Sequence, residues 1–500
     1  MRRRVALIVD HPERDLAGIV LLAHELSHRG ISCHLVPLNR QERELWTLAP
    51  DFVLLNYTRR GTEALAQRLL DAGIDFGLLD TEGVIWTGEI GPDGSIRAGF
   101  EKYTELLWRD PSLLKRASVV CTWGPRLAEH LASGGWFARK QLIPTGCPRF
   151  DFYHPRWRPV CDTRPGHESE RPRQILINTL SPTVNSRLVP VSVNEMELRD
   201  VLGWPVERIR QYLDAERGAI RGLIEVARRL AHDYPTLEIL LRPHPFEDEG
   251  VYRSALGNLK NVRVDGSGPV YSRIFESAVL IARGCTTAVE AAMAGVPSLS
   301  PQWIPGPYVN PISEATSVSC GDYESLKSYI DEIFAGRYQP SPDLNRAVET
   351  VLGDWFHGSD GLAHRRVADA IVSRLAGPRR VNEELCARFL RAHEKVLRSR
   401  RGLGHAVRRI LRLPPDWCFR RMRVVPSPGK TVKYFGASDV ERLVKRLALV
   451  SGKTGGLAAE PTVRLVGGIP PGQEKEMRSV TLDPGSAGAG RKPISGKALV

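Results

Sequence analysis

A histidine clamped between two prolines stands at position 244. In "EILLRPHPFED" (238–248) an apolar run ends in Arg242-Pro243-His244-Pro245. Each proline locks its own φ and restricts the residue before it, so the imidazole sits on a rigid mount at a strand end. An arginine fork beside an imidazole N–H suits an anion. Arg242 can pair with phosphate oxygens in planar geometry, and His244 can donate to a phosphate or to the oxygen of a departing nucleotide. The bland alternative is a histidine packed in a proline corner. The acidic "FEDE" (246–249) that follows reads as a solvated turn.

A second signal lies some forty residues on, in "VLIARGCTTAVEAAMAGVPSLS" (279–300). A strand ends at Arg283-Gly284 and a helix opens at Thr286-Thr287. Helix N-termini carry unpaired N–H groups and a positive dipole end, which favour phosphate. Gly284 allows close backbone approach, the hydroxyls of Thr286 and Thr287 add donors, and Glu290 lies one turn in, within reach of ribose hydroxyls. The same Thr287-x-x-Glu290 pattern is also a capping box that satisfies only its own helix. Asn178 and Ser181, after the strand "ILINTL" (175–180), are further donor-contact candidates. "DHPERDLAG" places Asp10, His11, Arg14 and Asp15 after the first strand, and "LDTEG" places Asp80 and Glu82 after another. Any bond formed at a hydroxyl needs a group to take its proton. Asp15 and Glu82 are the candidates, against helix capping for Asp15 and a solvated turn for Glu82.

The elements that would position these residues alternate. Apolar strands at 5–10, 33–38, 51–57, 75–80, 118–124 and 141–146 are separated by amphipathic helical stretches. The pattern breaks in the proline-rich, charged 153–173, then resumes at 175–180, 238–244, 262–264, 279–284 and 297–300, with helices around 206–233, 323–336 and 362–376. Continuously apolar strands alternating with helices imply parallel sheets covered on both faces. The expected fold class is α/β, with two Rossmann-like doubly wound domains facing a cleft, 1–152 and 174–380, joined by a linker at 153–173. Ligands of open α/β sheets sit at the carboxyl ends of the strands, so both domains should serve one site. A basic helical extension (381–450) and a disordered Gly/Pro/Ser/Lys-rich tail (451–500) complete the chain.

The order and spacing of "RDLAGIVLLAHEL", "LDTEG", "TGCPRFD", "ILINTLSP", "LRPHP" and "CTTAVEAAMAGVP" resemble the bacterial surface carbohydrate biosynthesis proteins. These are GT-B-type glycosyltransferases related to capsule Kdo transferases, His-Pro sialyltransferases and CDP-glycerol glycerophosphotransferases. The resemblance covers about residues 1–380. It implies a GT-B fold in which domain 1–152 holds the acceptor and domain 174–380 the nucleotide donor. The donor it implies is CMP- or CDP-linked, and the acceptor a surface polysaccharide or lipid-linked glycan precursor (capsule or lipopolysaccharide). It also implies phosphate contacts by His244, Thr286 and Thr287 and a ribose contact by Glu290. Cys285 departs from the pattern, standing where relatives often carry serine.

Charge and cysteine content bound the rest. The net charge is +13, yet residues 381–500 hold 24 Lys+Arg against 10 Asp+Glu, leaving 46 against 47 in 1–380. A neutral body argues against a nucleic-acid groove. The basic segment 383–423, with Leu385, Phe389, Val396, Ile410 and Leu411, reads as attachment to an anionic membrane surface, or as an extension packing on the body or a second subunit. Eight cysteines without paired spacing favour a reducing, cytoplasmic home, peripheral to the inner face of the membrane. No Asp-x-Asp triplet is present, "DTE" (80–82) being the nearest imitation, so no metal cofactor is expected. Two alternatives use the same architecture: a UDP-N-acetylglucosamine 2-epimerase, or a non-catalytic scaffold in polysaccharide assembly.

Overall fold

The computed structural model describes residues 2–58, 62–83, 89–90, 96–97, 107–161, 173–200, 203–306, 310–411, 435–451, 462–465 and 480–483. The first unit is built on strands β1 (Arg4–Val9), β2 (Ser32–Pro37), β3 (Phe52–Leu55), β4 (Asp75–Leu79), β5 (Val119–Thr122) and β6 (Leu142–Pro144), all mutually parallel in the order β2-β1-β3-β4-β5-β6. The apolar runs are continuous because both faces are covered. Val5, Leu7 and Val9 enter one core while Ala6 and Ile8 enter the core on the opposite face.

The second unit repeats the scheme with β7 (Gln174–Asn178), β8 (Glu238–Arg242), β9 (Val262–Val264), β10 (Val279–Ala282), β11 (Ser298–Pro301) and β12 (Val318–Cys320). Its order is β9-β8-β7-β10-β11-β12. The chain winds outward from β7 through β8 to β9, then returns to start β10 on the other side. The carboxyl ends of β7 and β10 therefore flank a topological switch point. Leu176, Leu240 and Leu280 face the same core as the first unit's Val5 and Leu7, so one apolar cluster runs through both units.

Helix α1 (Ala17–His28) follows β1 and is buried along almost its whole length. Gly18 is forced here by packing: a Cβ would lie 2.5 Å from the backbone nitrogen of Arg149. Helices α2 (Gln41–Leu48) and α3 (Val206–Asp233) cover outer faces.

The domain boundaries differ from the sequence reading. Of the helices expected in the second unit, α4 (Pro342–Phe356) bridges the two units, and α5 (Ala363–Arg374) packs on the first. Val367 and Ile371 are fully buried beside α1, and His364 Nδ1 lies 2.7 Å from Asp151 Oδ2. Helix α6 (Glu383–Leu411) starts on the same unit, with Cys386 buried and the Phe389 ring 4.9 Å from Trp46 of α2. Leu385 and Phe389, read as lipid contacts, are thus spent on the protein body. Val396 is exposed, while the side chains of Ile410 and Leu411 and residues 412–423 lie outside the described residues. Helix α7 (Ala437–Ser451) buries Val440 and Leu447, and Arg446 donates to the Val160 carbonyl at 3.1 Å.

Two segments of 451–500 are ordered as strands, β13 (Thr462–Leu465) and β14 (Val480–Asp483). β14 pairs antiparallel with β2, matching Val480 with Leu35 and Leu482 with Cys33, and β13 pairs with β14. The rest of 452–500 lies outside the described residues, as do linker residues 162–172. Among the described residues no helix is long and apolar enough to cross a membrane.

Candidate functional site

Three neighbouring strands end level with one another. Arg242 ends β8 opposite Asn178 at the end of β7, and Asn178 is opposite Ala282 at the end of β10. The strand pattern that makes these segments apolar delivers three polar residues to the switch point, Asn178 and Arg242 level with one another and Arg283 one position past Ala282.

Two of them are buried without full hydrogen bonding. Neither Nδ2 nor Oδ1 of Asn178 has a partner among the described residues, and neither does Nε of Arg242. Arg242 gives one bond, from Nη2 to the Gly268 carbonyl at 2.8 Å. No ion pair to it is formed among the described residues; burial pulls the guanidinium below its ordinary range while Glu13 and Glu290 oppose that shift. Buried polar groups are normally satisfied, and a buried charge is normally paired. This pair is arranged as an anion and hydrogen-bond socket.

His244 adjoins the socket. Its Nδ1 accepts the Phe246 N–H at 3.2 Å, which places the proton of the neutral ring on Nε2. Burial, then the positive charge of Arg242 and its neighbours, pushes the imidazole down to about 3. The group is a neutral N–H donor at physiological pH. Phe246 stands between two imidazoles, 5.3 Å from the ring of His244 and 5.9 Å from that of His11 in the first unit. The two units therefore meet at this point.

The β10–helix segment behaves differently from the sequence reading in three ways. Gly284 has a φ of +65°, as its residue type requires, but its N–H donates to Glu314 Oε1 at 3.0 Å, and Arg283 is paired with the same carboxylate. The capping box is not formed: Thr286 makes no side-chain cap bond and Thr287 donates to Cys285 Sγ at 3.1 Å. Glu290 instead accepts from the Tyr153 hydroxyl, a bond between the segment linking the units and the second unit. Ser181 is committed internally, its N–H to Glu247 Oε1 at 2.7 Å and its hydroxyl to the Glu216 carbonyl at 3.3 Å.

On the facing unit, residues 10–15 form a tight turn into α1. Arg14 is its hub, at 2.9 Å from Asp10, 3.0 Å from Asp15 and 3.5 Å from Glu82. Burial opposes the Arg14 charge, but Asp15, Glu82 and Asp10 outweigh it and push the group up. Asp15 also accepts the His11 N–H at 3.1 Å and lies 3.7 Å from Arg149. Both carboxylates proposed as bases from sequence are thus ion-paired to one arginine, Asp15 tightly and Glu82 loosely.

Sequence reasoning passed over Glu13 in the same turn. Its side chain is exposed, yet partial enclosure holds its carboxyl above the ordinary range, against the pull of Arg242 and Arg187 across the cleft. Arg187 was passed over too; its N–H donates to the Phe246 carbonyl at 2.9 Å, docking residues 185–189 beside the His244 turn. No motif marks either residue, and only the approach of the two units exposes them.

A cavity at the carboxyl ends of β4 and β5 is lined by Tyr57, Asp80, Gly83, Trp123 and Phe137. Among the described residues no three His, Cys, Asp or Glu side chains converge as a metal site.

No family model matches the chain, and no curated protein matches it. Solved structures do. The wall teichoic acid polymerase TagF is matched at 12% identity with a TM-score of 0.47, over 75% of this chain and 89% of the other. A UDP-GlcNAc 2-epimerase from Neisseria meningitidis bound to UDP-GlcNAc is matched at 13% and 0.44, over 74% and 100%. One from Methanocaldococcus jannaschii is matched at 11% and 0.45, over 74% and 99%. The architecture is GT-B-like: two Rossmann-like units, with the switch point of the second turned towards the turn after the first strand of the first.

Proposed function

We propose that the protein is a glycosyltransferase that moves a sugar from a nucleotide-activated donor to a surface polysaccharide or its lipid-linked precursor. The observation carrying this reading is the unsatisfied pair Asn178 and Arg242, buried at the switch point beside a neutral His244. A buried cation with an open Nε recognises an anion, and an amide with both ends open recognises a group that donates and accepts. A nucleotide phosphate with its adjoining ribose or sugar hydroxyls supplies both. The sequence resemblance favours a CMP- or CDP-linked donor.

For a single displacement, the acceptor oxygen bonds to the anomeric carbon as the bond from that carbon to the phosphate oxygen breaks. Charge develops on the phosphate, where Arg242 and the Nε2–H of His244 meet it in a preorganised site. The acceptor proton leaves to a carboxylate of the first unit. Of Asp15, Glu82 and Glu13, Glu13 is preferred, because Arg14 holds the other two while Glu13 is held in a more basic range. Membrane attachment of the acceptor-bearing complex would fall to the part of α6 beyond Val396, since the earlier apolar residues of that helix are packed on the body.

A thermal-shift screen with CMP, CDP, UDP and GDP tests the reading, since a ligand that binds only the native state raises its melting temperature. A shift with one or more that is lost in Arg242→Met supports it. No shift with any of the four overturns the nucleotide assignment. Incubation with UDP-N-acetylglucosamine alone separates the epimerase: an epimer formed without acceptor replaces the transferase reading.

A further inference from the structure

The turn after His244 contains a carboxylate that the sequence suggested was solvated, and it is not. Glu247 is 1% exposed. Its Oε1 accepts the Ser181 N–H at 2.7 Å; its Oε2 accepts the Thr179 hydroxyl at 2.9 Å and the Tyr252 hydroxyl. Thr179 is itself buried, and while donating to Glu247 its Oγ1 accepts the His244 N–H at 3.2 Å. The Glu247 N–H closes the turn on the His244 carbonyl at 2.8 Å. The carboxylate thus sits between the loops leaving β7 and β8, the two strands that present Asn178 and Arg242.

We infer that Glu247 is a positioning residue, which acts through Thr179 to fix the main chain of His244 and so to keep its Nε2–H directed at the anion socket. The inference rests on the nucleotide-site reading for its purpose, but not for its geometry. Three donors converge on one carboxylate with no cation paired to it among the described residues. A group serving only to fill space would be cheaper as an apolar residue, because a buried unpaired charge is costly. What the charge supplies is direction: Thr179 can give its one proton only to Glu247, leaving its lone pairs for the His244 N–H. With both ends of the 244–247 turn held, Nδ1 stays under the Phe246 N–H and the ring has one tautomer. Burial raises the Glu247 carboxyl, which is consistent with a charge retained only by these donors.

The test uses the full-length chain with ¹⁵N-labelled histidine, the His244 resonances being assigned by their absence in His244→Gln. Wild type should show a protonated Nε2 and an unprotonated Nδ1, with no titration down to pH 5. In Thr179→Val the relay is cut without loss of volume. The single-tautomer pattern should average, the ring should titrate nearer the ordinary histidine range, and CDP or UDP affinity by calorimetry should fall about tenfold, the scale seen when supporting shells are removed. Thr179→Ser, which keeps the hydroxyl, should restore all three readouts. Glu247→Gln keeps one acceptor oxygen and sets its NH₂ against either the Ser181 N–H or the Thr179 and Tyr252 hydroxyls; it should move the three readouts in the same direction as Thr179→Val. A merely structural role would lower the melting temperature of the variants and leave the His244 spectrum as in wild type; that result overturns the inference. Should Glu247→Gln not fold, Thr179→Val against Thr179→Ser still decides. If wild type binds no nucleotide while the tautomer pattern still depends on Thr179, the nucleotide reading falls and the positioning role stands.

Discussion

Replacing Arg242 by methionine separates what the residue does for a ligand from what it does for the fold. The guanidinium is buried and, among the described residues, gives a hydrogen bond to the Gly268 carbonyl at 2.8 Å and leaves Nε without a partner. A charge-assisted hydrogen bond contributes about 1.5–3 kcal/mol. One to two such bonds to phosphate, partly replaced by water in the variant, amount to about 2–4 kcal/mol, or roughly 30- to 700-fold in Kd. The fold should not suffer comparably. Exchanging an unpaired buried cation for an apolar chain of similar length removes a desolvation cost, so ligand-free stability should be unchanged or raised by about 1 kcal/mol. Calorimetric titration with CDP and UDP, beside urea denaturation without ligand, reads both quantities on the same preparation. Arg242→Met that loses several kcal/mol of stability, and binds nucleotide within twofold of wild type, would show that the arginine is a structural prop and that the socket is misassigned.

Further outcomes follow from the same geometry. Asn178→Ala should cost about tenfold in nucleotide affinity with little change in melting temperature, since its amide has no hydrogen-bond partner among the described residues; a large stability loss with binding intact contradicts this. Burial and the adjacent His28 push His24 down to about 4. The unfolded chain therefore takes the proton first, and stability falls as pH drops from about 6.5 towards 4, by up to ~1.4 kcal/mol per pH unit for the group. His24→Gln should flatten that slope in denaturant midpoints taken from pH 7 to 4.5, and an unaltered slope would dismiss the assignment. Gly18→Ala puts a methyl 2.5 Å from the Arg149 backbone and should cost about 1–3 kcal/mol in chemical denaturation. Ending the chain at 451 removes β14 and uncovers the edge of β2. The truncated protein should melt lower and associate by light scattering, because an open edge recruits other strands; a monodisperse product of unchanged melting temperature would refute the role given to β14.

Much of the sheet architecture was legible because parallel strands covered on both faces are spelled as unbroken apolar runs. "VALIVD" became Arg4–Val9 and "EILLRPH" became Glu238–Arg242, the ends shifting only where a polar residue leaves the ladder. The helix expected around 206–233 lies at Val206–Asp233, where apolar residues recur every three to four positions. The tail strands were not legible: Thr462–Leu465 and Val480–Asp483 are four residues each, set among Gly and Pro; the second pairs with a strand more than 400 positions away, and the first pairs with the second. In the site, Arg242, His244 and Asn178 could be found because strand ends announce them. Glu247 could not, since an acidic turn after two prolines has the composition of a solvated one, and only Tyr252, Thr179 and Ser181 closing over it make it internal. Glu13 escaped notice for a related reason, being one of several charges in a turn whose partner surface lies some 230 residues ahead.

The return of α5, α7 and β14 to the first unit has a bearing on how the chain is made. Domains generally fold as units during synthesis, the amino-terminal one first. Here the opening sheet has to wait. The helices that cover α1 reach it only after some 370 residues have left the ribosome, and the strand that closes its edge is among the last to emerge. Until then the outer face of α1 and the free side of β2 lack their cover. The nascent first unit therefore carries an unpaired sheet edge throughout the synthesis of the second, and the order of translation runs opposite to the order in which the protein can be sealed.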